Sequence, residues 1–446
     1  MFVIPTNRPV LQAARSAVQE MLVMQRAGRD PEELLVLDNA QPGVSRRNRE
    51  DLQELQRTSP FPIHHVDLEE QRQWVRQLAV SSLRDTDLLM NLLYPYPEEG
   101  DYGKVFNMTA LYAVKYGRYV IHRRDSDTTT AGLDESRYPV QGELMYLGRK
   151  VSEIDSGMNS VEQPSGGLRE QEILIAGSDY TGDWNVDLAG LQEKNSQALP
   201  SFLKALSIPE DSVPDYIRAK YPLGQEDQDR PSSGVLLITC EGRPALPEIT
   251  PFYPECGNMA MKDIFQWIPS FIGSRCIGFD YHTYILGAML HAPCVYHPNK
   301  IVHAHSPGRR VLSEMLQYWK GIAKLADYNH LISVFGRDYL HLVRLPGRTG
   351  FFAHMEAGTP AQLAEVLSRC HRSRDRASRL QVLHELVSGV LQPSPLEEYR
   401  LIAKELIRSQ DLLIEELDRD YRRSFLLQSM WRELVESARQ LRYVQL

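Results

Sequence analysis

The first 127 residues alternate short apolar runs with stretches of helical spacing, and that alternation leaves few folds open. Residues 2–4 form a brief apolar run, stopped by Pro5 and the turn-prone Thr6-Asn7-Arg8-Pro9, as expected of a buried strand that ends in a loop. Residues 11–26 follow with apolar side chains at Leu11, Ala14, Val18, Met21, Leu22 and Met24, close to the helical repeat, before Gly28 and Pro31 break the pattern. A second strand is predicted over 34–38, a helix after the basic turn at 45–49, a short apolar piece over 63–66 and one long helix over 69–93. Strands alternating with helices imply a parallel sheet covered by helices. Ligands in such sheets bind beyond the carboxyl ends of the strands, so the loops after Ile4, Leu37 and Ile121 are the first places to look.

The character changes from 128 to 234, where Gly, Ser, Asp and Gln are frequent and periodicity weakens. A strand over 172–176 and a helix over 199–206 stand out there, and the segment reads as an insertion capping the site. A strand over 235–240 then returns the chain to the main sheet, giving a core made of 1–127 and 235–310. From 311 to 446 the spacing is helical. The apolar stripe of its last stretch, 399–443, reads as packing within the chain, with a homodimer seam as the alternative.

With 446 residues, 42% of them hydrophobic and 24% charged, the chain can bury a large core, and a packed enzyme is feasible. A net charge of -8 and the lack of any long Lys/Arg block argue against nucleic acid as a partner. No run of 18 apolar residues is present to span a membrane, and a cytoplasmic location is the expectation. The cysteines, Cys240, Cys256, Cys276, Cys294 and Cys370, contain no C-x-x-C pair and read as reduced, buried thiols.

The most informative segment is Tyr119-Val120-Ile121-His122-Arg123-Arg124-Asp125-Ser126-Asp127-Thr128, a β-branched strand running into two carboxylates one residue apart. Side chains alternate along a strand, so Asp125 and Asp127 are expected on one side of its end. Two convergent carboxylates suit a hard cation. Mg2+ or Mn2+ there would also take diphosphate oxygens and stabilise a departing nucleotide. Neither a phosphate-binding G-x-x-x-x-G-K-[ST] loop nor a G-x-S-x-G elbow is present.

In this arrangement the sequence resembles the GT-A glycosyltransferases, in particular the inverting family 2 and the polypeptide N-acetylgalactosaminyltransferases. The resemblance implies a Rossmann-like GT-A α/β domain. It implies that Pro5, Thr6, Asn7 and Arg8 contact the nucleotide base and that Asp38 faces the base or ribose. Gly103-Lys104-Val105-Phe106-Asn107 looks like the Gly-x-x-x-Asn element before the D-x-D strand, which draws Lys104 and Asn107 into the donor site. Asp125, Ser126 and Asp127 would gather the metal and sugar diphosphate. Further on, Gly257-Asn258-Met259-Ala260 matches a Gly-rich acceptor segment, and Asp280, in Phe279-Asp280 where relatives carry Glu-Asp, matches the general base that deprotonates an acceptor hydroxyl. His303 and His305 are alternatives for a third metal ligand.

Within the capping segment, Asp179, Asp183 and Trp184 could form a platform for sugar or acceptor, because aromatic faces stack on sugars while carboxylates bind hydroxyls. An ordinary Gly/Asp turn is the competing reading. The sequence therefore points to a metal-dependent, inverting transfer from a nucleotide-diphosphate sugar to a soluble acceptor: a small molecule, a peptide or a glycan. A sugar nucleotidyltransferase and a catalytically silent scaffold recruiting a partner through its helical tail are the alternatives.

Overall fold

The computed structural model describes residues 1–29, 31, 33–97, 99–154, 166–182, 193–214, 217, 236–238, 253–304, 311–356 and 358–442. Strands β1 (Phe2–Thr6), β2 (Leu34–Asp38), β3 (Ile63–Val66) and β4 (Val120–Arg124) are mutually parallel in the order β3-β2-β1-β4. The residues of β1 and β2 alternate between two cores. Phe2, Ile4, Leu34 and Val36 pack under helices α1 (Leu11–Arg26), α2 (Pro42–Thr58) and α6 (Pro139–Tyr146). Val3, Leu35 and Leu37 pack under α3 (Leu68–Ser81), α4 (Thr86–Leu93) and α5 (Tyr102–Lys115). Both faces are covered, which is why these strands read as unbroken apolar runs.

The helix predicted over 69–93 is two helices. The chain turns at Leu83, whose φ is 53°, and Asp85 restarts it by accepting a hydrogen bond from the Leu88 amide at 2.7 Å. Helical spacing persists across the break because both pieces face the same core.

Beyond β4 the sheet continues through β9 (Asn258–Lys262), β6 (Ile175–Gly177), β10 (Cys294–Tyr296) and the edge strand β8 (Leu236–Ile238). Strands β9 and β8 run against the others. The segment 128–234, expected as an insertion, thus supplies β6 to the interior of the main sheet. A second sheet, ordered β5-β11-β7, joins β5 (Thr128–Thr129), β11 (Ile301–His303) and β7 (Tyr180–Gly182). Each of its strands continues a main-sheet strand: β4 into β5, β6 into β7, β10 into β11. The small sheet therefore lies beyond the carboxyl ends of β4, β6 and β10.

The C-terminal helices Leu312–Val334, Thr359–Ser373, Arg376–Leu386, Glu397–Arg408 and Gln410–Arg442 share an apolar core with the sheet. Along the last helix Leu417, Tyr421, Trp431 and Leu434 are fully buried, and the Trp431 indole donates to the Phe265 carbonyl at 3.0 Å. Its apolar stripe is packed within the chain. Asp327 ties these helices together: burial raises its pKa, but Arg374 and Arg379 outweigh that and hold it at about 2. The four described cysteines are buried and unbridged, and no helix among the described residues is long and apolar enough to cross a membrane.

Burial also depresses His122, His282, His297, His330, His354 and His371, with His297 drawn to about 4. These rings are neutral in the fold and protonate more readily when it opens. The stability they contribute is complete above about 6.5 and is lost as pH falls toward about 4. For His297 alone the difference is on the order of 3 kcal/mol. Asp420, pushed by burial to about 6, works in the opposite sense: its contribution is present below 3.8 and lost as pH rises through about 6. Burial raises Glu20, Asp101 and Asp263 as well, so six imidazoles stand against four carboxyls, and the urea midpoint is expected to be lower at pH 5 than at pH 7. Equal midpoints would contradict this balance.

Candidate active site

Strand order reverses at β1: the chain moves from β1 outward to β2 and β3 on one side, and β4 lies on the other. In open α/β sheets the crevice beyond the carboxyl ends at such a switch is where ligands bind. Two loops meet there. Arg8, from the loop after β1, places Nη1 2.7 Å from Oδ2 of Asp127, from the turn after β4, and His303 Nε2 is 3.5 Å from the same oxygen. The turn itself is fixed by the Thr128 amide and hydroxyl, both donating to the Asp125 carbonyl.

Asp125 is held from two sides. Arg123 donates to Oδ1 at 3.2 Å, and the Tyr180 hydroxyl donates to Oδ2 at 3.0 Å while accepting from the Gly257 amide at 2.9 Å. Tyr180 also stacks on His303, ring centroids 5.2 Å apart. The antiparallel pairing of Arg124 with Asn258 sets Asp125 opposite Gly257, where a Cβ would lie 2.4 Å from both the Asp125 carboxyl carbon and the Tyr180 hydroxyl. Only glycine leaves room for that carboxylate. Arg123 donates in addition to Asp280 Oδ2 at 2.8 Å, so one buried guanidinium joins the D-x-D turn to the predicted base. Burial opposes its charge, but Asp125 and Asp280 outweigh that and hold its pKa well above the ordinary range. Two of its nitrogens, Nε and Nη1, are buried without a hydrogen-bond partner.

Beneath the turn, β4 sends its polar side chains to opposite faces. Arg123 leans over Phe106, whereas His122 and Arg124 face α1 and α6. Arg124 donates two hydrogen bonds to Glu20 of α1, at 2.7 and 2.6 Å, and two to Glu143 of α6, at 2.9 and 3.1 Å. His122 Nδ1 lies 2.6 Å from Glu143. Burial raises both carboxyls; for Glu143 the charge of Arg124 prevails, helped by the hydrogen bond from His122, and holds it at about 2. The residue immediately before Asp125 is thereby anchored to two helices.

The remaining predicted residues divide clearly. Asp38 is buried, accepting from Ala40 N–H and the Asn48 amide and lying 2.9 Å from His65 Nε2. Asn48 also binds the Arg8 carbonyl and the Val10 amide, so Asp38 helps set the shape of the first loop. Thr6 closes that loop through Arg8 O and N, Asn7 accepts from Arg8 Nε at 3.3 Å, and Pro5 is half-buried within β1. Beside this knot a cavity of about 350 Å3 is lined by Arg49, Gln53, Gln56, His65 and Glu70. Lys104 is buried with Nζ 2.6 Å from Glu99, and Asn107 brackets the Ser270 backbone, so the structure engages both in packing rather than at the crevice. Asp179 and Asn258 are likewise buried, bracing the turn after β6 against β9 and β10, with Tyr296 donating to Asp179 and Asn258 donating to the Asp179 carbonyl. Ser126 is half-buried in the turn. His305, Asp183 and Trp184 lie outside the described residues.

Arg123, Arg124, Tyr180 and the clearance at Gly257 escaped the sequence reading. The available signal was a pair of arginines inside a strand otherwise made for burial, which demands buried carboxylates as partners.

Among the described residues no three His, Cys, Asp or Glu side chains converge on one point that could hold a metal ion. Hard cations of the Mg2+ type bind through one or two carboxylates and fill the rest of their shell with water and substrate phosphates. Asp125 and Asp127 fit that requirement in kind.

Solved structures similar to this chain include two glycosyltransferases. Glucosyl-3-phosphoglycerate synthase from Mycobacterium tuberculosis, in complex with phosphoglyceric acid, shares 13% identity over 73% of this chain and 77% of its own, with a TM-score of 0.33. The mannosyltransferase PcManGT from Pyrobaculum calidifontis, in complex with GDP-Man and Mn2+, shares 11% identity over 96% of this chain and 86% of its own, with a TM-score of 0.35. No curated protein matches the sequence significantly. A family match spans residues 1–446, and the chain belongs to that family, a family of unknown function (DUF6271).

Proposed function

We propose that this protein is a metal-dependent glycosyltransferase of the GT-A type, moving a sugar from a nucleoside-diphosphate donor to an acceptor hydroxyl with inversion. The observation that carries the reading is the meeting of Arg8 and Asp127 across the strand-order switch, with Asp125 beside them. Carboxylates and a guanidinium in one crevice suit a cation and a diphosphate together. The cavity bordered by His65, the partner of Asp38, supports a nucleoside on that side.

In this reading Asp125 and Asp127 hold Mn2+ or Mg2+, with His303 beside Asp127; the ion, when bound, supplies Lewis-acid stabilisation of the departing nucleoside diphosphate. Arg8 binds diphosphate oxygens. Asp280, oriented by Arg123, takes the acceptor proton, a contribution of about 10² to 10⁴ in rate for a positioned base. A silent scaffold is the second reading, favoured by one fact: Asp125, Asp127 and Asp280 each already face an arginine.

A melting-temperature screen of UDP-, GDP- and dTDP-sugars with and without Mn2+ separates the two, since a ligand that binds only the folded state must raise the transition. At 100 times its Kd a ligand stabilises by about 2.7 kcal/mol. Asp127→Ala is expected to abolish the Mn2+-dependent part of the shift. No shift with any donor would leave the scaffold reading.

A further inference from the structure

We infer that Arg8 is an exchangeable counterion: it neutralises Asp127 until a donor diphosphate draws it away, so that metal and nucleotide bind cooperatively. The inference rests on the glycosyltransferase reading above and adds a binding order to it. The two carboxylates of the turn are held in different ways. Asp125 is gripped by Arg123, whose side chain is 7% exposed, and by the half-buried Tyr180, and each of these partners is itself anchored, Arg123 to Asp280 and Tyr180 to the Gly257 amide. Asp127 is paired instead with Arg8, whose side chain is 31% exposed at the mouth of the crevice.

The backbone that carries Arg8 is fixed. Thr6 closes the loop, and Asn48 holds both the Arg8 carbonyl and the Val10 amide. An exchange therefore needs only side-chain rotation, with no loop rearrangement. Arg8 is also the guanidinium that bridges the two loops of the switch, which puts it within reach of any anion bound between them. As it stands, Arg8 occupies an oxygen that a divalent cation would need. Metal alone must displace a charge-assisted hydrogen bond at 2.7 Å. A diphosphate offers Arg8 better acceptors, frees Asp127 and adds its own oxygens to the cation. The two ligands then favour each other, and by linkage each raises the affinity of the other by the same factor.

The test uses the full chain, with free Mn2+ measured by electron paramagnetic resonance in the presence and absence of UDP and of GDP. Wild type is expected to bind Mn2+ weakly alone and at least tenfold more tightly with one of the nucleotides. Arg8→Met is expected to bind Mn2+ alone about fivefold more tightly than wild type, the scale of one partly exposed ion pair, and to show a smaller nucleotide effect. A gain in affinity cannot come from misfolding. Arg46→Met removes an equal charge from an exposed site on α2 and is expected to leave Mn2+ binding unchanged, which separates a direct contact from a general field. Asp127→Ala in the Arg8→Met background is expected to remove the gain. If Arg8→Met binds Mn2+ no better than wild type, or Arg46→Met matches its gain, the exchange is overturned while the transferase reading stands. If wild type binds no Mn2+ with or without either nucleotide, the transferase reading falls and the exchange with it.

Discussion

Arg124→Met is expected to destabilise the protein by about 3–5 kcal/mol, because it strips the cation from two buried carboxylates at once. Glu20 and Glu143 are both fully buried, and Arg124 supplies hydrogen bonds to each of their four oxygens. Methionine fills much of the volume but returns no donor. One of the carboxyls must then take up a proton or admit water, and either change loosens α1 and α6 from β4. The loss should appear as a lower urea midpoint at pH 7. It should shrink in Glu20→Gln/Arg124→Met, where one of the stranded charges is gone. An unchanged midpoint in the single variant would mean that the network carries little of the fold. Because Arg124 precedes Asp125, the same variant should also blur any metal binding, a secondary effect that the stability measurement allows to be separated.

Gly257→Ala should leave the protein folded and disable the site. The added methyl would sit 2.4 Å from the Asp125 carboxyl carbon and from the Tyr180 hydroxyl. Overpacking of this kind costs about 1–3 kcal/mol. The softest atoms nearby are those of the Asp125 side chain, so they are the ones that move. A carboxylate turned out of place, with its Tyr180 hydrogen bond broken, is expected to lower Mn2+ affinity or turnover by about 10- to 100-fold, the usual scale for losing a metal ligand's supporting contact. Titration of Mn2+ against the variant, alongside its melting curve, checks both halves. Wild-type affinity with a wild-type melting curve would show that the backbone yields instead and that the glycine is dispensable.

Much of the architecture could be read from the residues. Strands at 2–6, 34–38, 63–66 and 120–124, and helices between them, follow from apolar runs punctuated by Gly and Pro. The turn holding Asp125 and Asp127 was legible for the same reason: a strand made for burial ends in two carboxylates. What could not be read is pairing across long separations. Nothing in the spacing says that Lys104 reaches Glu99 in a buried pair or that Asn107 brackets Ser270. Nothing says that Asp38 is consumed by His65 and Asn48. Each looks like a ligand-binding side chain in isolation, and each is committed by tertiary contacts. The segment 128–234 misled for a related reason. Its strand at 175–177 is only three residues long, too short to announce a central position, yet it lies between β9 and β10. Tyr180 was hidden in plain view, since a tyrosine in a Gly/Asp-rich stretch resembles a surface turn until the chain brings it against Asp125.

The small sheet β5-β11-β7 has a mechanical corollary. Residues 127, 180 and 303 lie far apart along the polypeptide, yet each sits on or beside a strand that prolongs the main sheet, and the three strands are cross-linked to one another. The crevice wall they form behaves as a single plate, whose members shift in unison or not at all. Adaptation to a new acceptor must therefore come from what borders the plate, since any change that re-aims one of these three positions drags the other two along.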